Sequence, residues 1–235
     1  MKIEKQKIEY FFDNNSRRII ITILIILLIL ASAFLVGRYL IRKPVPPDSD
    51  DNAPISDNRD ISGLTAVTLH SGKFKVGKDI KPGRYIATTG KHSFGVLTIY
   101  EVKRNIPEFS TSLGYFSETS YINSVTITLK KEQIIEVEML PSVTFTPIAT
   151  ELKTELTTGI WIVGLDIEAG TYSVASKEGL SGSIRITKDE QPVAEEEIGK
   201  YKNTEEIRTA VLTLKRRETI RIMQMPTVTF QKIVR

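Results

Sequence analysis

A ten-residue phrase occurs twice in this chain of 235 residues, and no other feature constrains the fold as strongly. VGKDIKPGRY at 76–85 and VGLDIEAGTY at 163–172 share Val, Gly, Asp, Ile, Gly and Tyr in register. Matches at a fixed offset indicate one structural unit built twice, so the repeat has to be mapped before any element is assigned.

Further matches extend the repeat over most of the chain. Stretches close to the phrase align at an offset of 87 positions and later ones at 85, so a two-residue deletion lies between them. Copy one therefore spans about 72–148 and copy two about 159–233, within predicted domains at 64–149 and 150–235. The aligned stretches are 95–99 with 182–186, 125–130 with 210–215, and 140–145 with 225–230.

Within each copy, apolar residues alternate with polar ones. Single Thr residues separate Val125, Ile127 and Leu129, and the same period of two recurs over 219–223. This period is typical of half-buried antiparallel strands. We expect an all-β fold of two tandem small β-sandwich or jelly-roll-like repeats. Copies of about 75 residues are marginal alone, so packing of one against the other would help.

The phrase contains the residue types of a turn. Pro presets φ at the second turn position and Gly tolerates a positive φ at the third. Each Asp is expected to cap a neighbouring amide in an Asx-turn. The alternative, a Ca²⁺ loop, needs several oxygen ligands in a short span, and no D-x-D-x-D-G pattern is present. The predicted structural turn residues are Gly77, Asp79, Pro82, Gly83, Gly164, Asp166 and Gly170.

The phrase resembles the VGxDIxxGxY element of uncharacterised tandem repeat domains in surface proteins and lipoproteins of Gram-positive bacteria. The resemblance covers both copies, and its specific part is the short phrase. It implies an extracytoplasmic, β-rich module and transfers no catalytic residue to this sequence. Members often have a Gly in the turn after the strand at 125–130, where this chain has Lys131 and Glu132.

An uncharged apolar run, 19–37, precedes the repeat. At about 1.5 Å per residue its 19 residues span roughly 28 Å, close to the hydrocarbon core of a bilayer. We expect a transmembrane helix in the lipid bilayer after a short tail at 1–18. Five Lys and Arg precede the run and Asp residues follow it, which favours a cytoplasmic N-terminus and extracellular C-terminal domains. Cleavage at Ala31-Ser32-Ala33 is the alternative, although the apolar run continues beyond this point.

Residues 44–62 contain four Pro and five Asp and few large apolar side chains. Such a composition buries no core, so 38–63 is predicted to be a disordered, flexible linker.

Charge and motifs exclude several classes of function. Residues 1–43 hold eight of the 32 Lys and Arg and three of the 28 acidic residues, which leaves 24 basic and 25 acidic residues beyond them. No basic surface for nucleic acid is therefore expected. The chain has no Cys, and its two His, His70 and His92, stand in no metal-binding or catalytic pattern. We expect no catalytic residue, no metal site and no cofactor.

Aromatic side chains distinguish copy one from copy two. Tyr100, Tyr115 and Tyr121 align with Thr187, Lys200 and Glu206. Exposed aromatic residues can form a stacking surface for a glycan or a partner protein, and local packing is the alternative.

These observations favour a non-enzymatic, single-pass membrane protein of the cell envelope that binds an envelope protein or a cell-wall glycan. The alternative is a membrane regulator or assembly factor that acts through its transmembrane helix and short cytoplasmic tail.

Overall fold

The structure is a computed structural model that describes residue 55 and residues 59–102, 106–117, 120–176, 180–200 and 207–234. All of these residues belong to one compact unit. The predicted tail, the predicted transmembrane helix and most of the predicted linker lie outside the described residues. Within the described ranges, no helix is long and apolar enough to cross a membrane.

Every regular element in the described part of the chain is a β-strand, which confirms the all-β class. Sixteen strands follow one another in these ranges. They are β1 Val67–Lys75, β2 Gly83–Thr89, β3 Phe94–Tyr100, β4 Pro107–Ser117, β5 Ser120–Ile122, β6 Ser124–Leu129, β7 Ile134–Pro147, β8 Glu155–Leu156, β9 Gly159–Ile162, β10 Gly170–Ser176, β11 Gly182–Lys188, β12 Gln191–Lys200, β13 Ile207–Arg208, β14 Ala210–Leu214, β15 Thr219–Met223 and β16 Val228–Lys232.

The described strands form two sheets. The larger has the order β13-β12-β11-β15-β9-β6-β2-β7-β3-β4-β5, with β1 paired to β7. The smaller has the order β14-β10-β16-β8. In copy one the long strands β1 and β7 pair with each other on both sides of a bulge between His70 and Gly72. The equivalent positions of copy two are divided among the shorter strands β8, β9, β15 and β16.

Strand pairing repeats between the copies position by position. In copy one β2 pairs with β6, with Gly83 opposite Leu129. In copy two β10 pairs with β14, with Gly170 opposite Leu214. These are equivalent positions of the aligned sequences, so the two copies pair these strands in the same register. Each copy also has its own cluster of buried apolar side chains.

The phrase contributes one equivalent aromatic contact to each cluster. Tyr85 stands edge-on to Phe145 with ring centroids 6.3 Å apart, and Tyr172 stands edge-on to Phe230 at 6.0 Å. Both tyrosine hydroxyls donate to the carbonyl four residues earlier. A buried Tyr keeps its hydroxyl satisfied in this way while its ring fills the core.

The copies meet where β6 of copy one and β9 of copy two run parallel in the larger sheet. Thr126 is the partner of Gly159 in this pairing, and its N–H donates to the Thr158 carbonyl at 3.0 Å. A Cβ on Gly159 would lie 2.1 Å from the Thr126 carbonyl oxygen, so only glycine permits the approach. Ile160 and Met223 of copy two also pack against the core of copy one.

The tight turn of the phrase lies over 77–79, not over Pro82 and Gly83. Gly77 has a φ of 94°, and its N–H donates to the Ile80 carbonyl at 2.7 Å. Pro82 instead occupies a bend, and Gly83 begins β2 with a φ of 155°. The turn that the sequence predicts at Pro82 and Gly83 therefore lies a few residues earlier, because Pro and Gly also suit the entry to a strand.

The turn after β6 also adopts a conformation that favours glycine. Glu132 has a φ of 73°, and the equivalent Arg217 of copy two has a φ of 69°. Glycine adopts such a φ without a steric penalty, whereas Glu132 and Arg217 adopt it at a cost.

Replacing Gly83 with Val should lower the free energy of unfolding by about 1–3 kcal/mol, the usual cost of a strained backbone position. The new side chain would occupy a positive φ and collide with Leu64, whose Cδ1 lies 2.4 Å from the Cβ position. Pro82→Ala should cost less, since copy two has Ala169 there. Thermal unfolding checks the order of the two variants. A Gly83→Val protein that melts like wild type beside a collapsed Pro82→Ala protein would contradict it.

Candidate functional site

Three charged side chains that are buried in the described unit lie together at the junction of the two copies. Asp166, from the copy-two phrase, is only 1% exposed. One of its carboxylate oxygens accepts the Ile162 N–H at 2.7 Å and thereby caps the preceding strand. The other oxygen contacts two guanidinium groups, those of Arg84 at 2.8 Å and Arg59 at 2.6 Å. We call these three residues the junction triad.

Arg84 connects the triad to copy one. It is 1% exposed, stands at the start of β2 and donates to the Thr128 hydroxyl on β6 at 2.9 Å. It also donates to the Ile160 carbonyl of copy two at 3.3 Å, and its guanidinium carbon lies 4.9 Å from the centroid of the Trp161 ring. The Arg fork, with several donors and a flat face that stacks on aromatic rings, suits such a mixed environment.

Arg59 reaches the same carboxylate from the segment that the composition identifies as a linker. It is 8% exposed, and its guanidinium also donates to the Thr150 hydroxyl at 3.4 Å. Ile55, from the same segment, lies against copy two, since a Cβ on Gly164 would lie 3.0 Å from its Cδ1. At Ile55 and Arg59, therefore, the chain packs on the folded unit.

Asp79 is the equivalent of Asp166 in copy one and differs in its surroundings. One of its oxygens accepts the Lys75 N–H at 2.7 Å, so the capping bond is the same in both copies. Asp79 is exposed, however, whereas Asp166 is buried between two arginines. Capping is thus the shared role of the phrase Asp, and the ion pairs are an addition in copy two.

The junction triad has the chemistry of a structural contact. A carboxylate held by two guanidinium groups and an amide has its oxygens directed to donors and offers none to a Ca²⁺ ion. Within the described ranges, no cluster of three or more His, Asp and Glu side chains could hold a metal ion. His70 and His92 are both exposed and lie in different parts of copy one.

Two of the three predicted tyrosines lie together. Tyr115 on β4 is the partner of Tyr121 on β5, and their ring centroids are 6.5 Å apart with planes tilted by 30°. Tyr115 is 46% exposed. The two rings form a small aromatic surface, which we call the tyrosine pair.

Tyr100 lies elsewhere. It stands at the far end of β3 from Phe94, which pairs with Gly114 next to Tyr115, so roughly 20 Å of strand separates it from the tyrosine pair. Its hydroxyl donates to Glu136, which raises the pKa of Tyr100 and lowers that of Glu136. Lys73 contacts the same carboxylate at 3.0 Å. Tyr100 therefore belongs to a local polar cluster.

A shallow cavity of about 550 Å³ lies beside Tyr172, between the segment Leu152–Glu155 and the Lys232 side chain. Lys232 is paired with Glu168 at 2.7 Å at its rim. These two charges compensate each other, so the cavity has no net charge from the pair to attract a ligand.

Burial raises the pKa of both phrase tyrosines, Tyr85 and Tyr172. A raised folded pKa means that the stability contributed by the neutral phenol is complete below the unfolded value of about 10 and is lost as the pH rises through the folded value. Urea unfolding between pH 9 and pH 11.5 should therefore show a steep loss of stability, less steep in the Tyr85→Phe, Tyr172→Phe double variant. Equal pH dependence in the two proteins would contradict this.

Comparison of the chain with family models, with curated proteins and with solved structures found no match.

Proposed function

We propose that this chain is a non-enzymatic, single-pass, membrane-anchored binding protein of the cell envelope. Residues 19–37 span the bilayer, 1–18 form a cytoplasmic tail, and the following Pro- and Asp-rich segment separates the membrane from the folded unit. Each copy is a small two-sheet β-sandwich, and the pair is displayed on the outer side. The apolar run and its flanking charges support the anchor and its orientation.

The observation that carries a binding role is the tyrosine pair, in which Tyr115 is 46% exposed and Tyr121 is half-buried. Tyr115 and Tyr121 stand side by side at the edge of copy one, whereas copy two has Lys200 and Glu206 at the aligned positions. A side chain that serves only the shared fold should recur in both copies. Exposed aromatic rings suit stacking against sugar rings or the apolar side chains of a partner.

The junction triad supports the same function by making a rigid base. A buried carboxylate with two guanidinium partners tolerates little displacement, because any movement leaves a charge unpaired in the interior. Copy two then serves to hold copy one, and the tyrosine pair is presented on a platform larger than one small domain. Presentation on a pre-ordered surface reduces the entropy lost on binding.

Binding can be tested with purified cell-wall glycan and with proteins captured from intact membranes. The Tyr115→Ser, Tyr121→Ser double variant should retain its fold and lose about tenfold in affinity, the effect of removing two stacked rings. Tyr100→Ser is the matched control because it removes the same residue type from the same copy outside the pair. Equal binding by the double variant and the wild type would refute the assignment of the surface.

Topology can be tested independently. Protease added to intact protoplasts should release a folded fragment cleaved before Ile55, since Ile55 and Arg59 pack on the folded unit. Protection of the fragment in intact protoplasts, with cleavage only after lysis, would refute the outward orientation.

The alternative function, a membrane regulator, is favoured by one specific observation. Arg59 lies in the segment that follows the predicted membrane helix, and it contacts the carboxylate that joins the two copies. In a regulator, displacement of this segment would remove Arg59 and leave the Asp166 carboxylate with one guanidinium partner instead of two. Deleting residues 2–16 separates the two functions: a binding protein keeps its ligand and its phenotype, whereas a regulator that signals through its tail loses the phenotype and keeps the ligand.

A further inference from the structure

Two strands, one from each copy, pair at the internal junction of the chain. Each of them has an equivalent strand in the other copy, and in the described unit that equivalent strand has one edge without a partner strand. On one side is β6 of copy one, whose equivalent in copy two is β14. On the other side is β9 of copy two, whose equivalent in copy one is the second half of β1. In the described unit β14 pairs only with β10, and this half of β1 pairs only with β7.

The open side formed by β14 presents the same backbone groups as β6. Thr126 of β6 faces Ile86 of β2, and its equivalent Val211 faces Ser173 of β10. The pairing registers agree at every position of the two strands. Because alternate residues of a strand direct their N–H and C=O groups to opposite sides, Val211 must direct its N–H outward as Thr126 does toward β9. Val211 is 67% exposed, whereas Thr126 is 2% exposed.

The open side formed by β1 is equivalent to β9 in the same way. Gly72 faces Val137 of β7, and its equivalent Gly159 faces Ile222 of β15. Both glycines have a large positive φ, 142° and 151°. The Ser71 hydroxyl donates to the Leu140 carbonyl as the Thr158 hydroxyl does to that of Met225. A Cβ on Gly72 would touch only the Phe74 ring, so this edge has room for a neighbouring strand.

We propose that chains associate head to tail, with β14 of one molecule pairing in parallel with the β1 edge of a second copy of this chain. The contact reproduces between molecules the β6–β9 pairing that joins the copies within one. Because its two sides differ, it is heterologous and continues into an open row of molecules. The internal junction is the template for its register: Val211 of one molecule takes the place of Thr126, and Gly72 of the next takes the place of Gly159.

Side chains make this contact weaker than the internal one. Thr171 stands in the place of Arg84, so the guanidinium that would reach the exposed Asp79 is missing. Lys73 stands in the place of Ile160, and a Lys on an edge strand discourages permanent pairing. Its ammonium is held by Glu136 and the Tyr100 ring, along the face of the sheet. The association is therefore reversible and depends on concentration.

The template supplies a site-specific test, because the chain has no Cys of its own. In the internal junction the Thr126 and Thr157 hydroxyl oxygens lie 3.4 Å apart, and the equivalents of these residues are Val211 and His70. Full-length Val211→Cys and His70→Cys proteins, mixed in mild detergent under oxidising conditions, should give a disulfide-linked heterodimer. The matched control replaces Val211→Cys with Val193→Cys, a second exposed Val on an edge region of copy two.

We expect the heterodimer to form about tenfold faster with Val211→Cys than with Val193→Cys, and faster again when Thr171→Arg supplies the missing guanidinium. Equal rates for the two Val positions would overturn the proposal. Predominant linkage of Val211→Cys to itself would also overturn it, because that product identifies a symmetric dimer through β14. Val211→Lys gives an independent readout, since it places a charge on the open edge. The sedimentation coefficient of this variant should fall below that of the wild-type chain, toward the value of a monomer.

Discussion

Replacing Asp166 with Ala should lower the free energy of unfolding by about 3–5 kcal/mol, the usual cost of removing one partner from a buried ion pair. Arg59 and Arg84 would lose the carboxylate between them in a site where Arg84 is 1% exposed. The Ile162 N–H would lose its cap as well. Urea unfolding at neutral pH measures the effect.

Asp79→Ala is the matched control, because copy one has the same amide cap in an exposed setting. It should cost only about 1 kcal/mol, the net value of an ordinary hydrogen bond. The difference between the two variants then isolates the contribution of the arginines. Equal losses would show that the phrase Asp acts only as a cap and that the junction triad adds nothing.

The second large effect is expected at Gly159. Gly159→Ala should lower the free energy of unfolding by about 2–4 kcal/mol, among the larger effects of single substitutions, because the new Cβ would lie 2.1 Å from the Thr126 carbonyl oxygen. The two strands of the junction would have to separate. The change should also increase the exposure of Trp161, which a red shift of its fluorescence would report.

Gly72→Ala provides the comparison. Gly72 has nearly the same positive φ, so the backbone strain is similar, but β7 is its only partner strand in the described unit and no strand lies on its other side. It should cost about 1 kcal/mol, within the range for a strained position. A Gly72→Ala protein as unstable as Gly159→Ala would mean that strain alone requires these glycines and that close approach of the copies does not.

The sequence predicts the local structure well because local structure repeats within it. The period of two over 124–129 and 219–223 corresponds to strands β6 and β15. The phrase indicates a glycine-dependent turn, and positive φ occurs at Gly77 and at Gly83. Its position was harder to predict, because Pro82 and Gly83 are typical both of a turn and of an entry to a strand.

The junction of the copies could not be predicted from either copy alone. Alternation of apolar residues determines which face of a strand is buried and gives no information about which strand edge meets another copy. One feature of the sequence indicated a role for Arg84, namely that Thr171 replaces it in a phrase that matches at six of ten positions. No feature of the sequence indicated a role for Arg59, because a single Arg in a Pro- and Asp-rich segment is typical of a solvated linker residue.

The tyrosine surface was partly predictable. Comparison of the copies identified Tyr100, Tyr115 and Tyr121 as residues of copy one alone, and two of them are neighbours. The third, Tyr100, lies apart from them. An alignment of the two copies shows which positions differ, but it does not show how far apart the strands place those positions. Only the pairing of β4 with β5 brings Tyr115 beside Tyr121.

The two copies, joined by the junction triad, should behave as one cooperative unit, and the only Trp of the chain allows a direct test. Trp161 lies at the junction under the Arg84 guanidinium, whereas the strands that give the far-ultraviolet signal come from both copies. Urea unfolding of residues 55–235 should give coincident transitions by Trp161 fluorescence and by far-ultraviolet circular dichroism. Separate transitions, with the fluorescence changing while half of the strand signal remains, would contradict a single unit joined by Arg84 and Asp166.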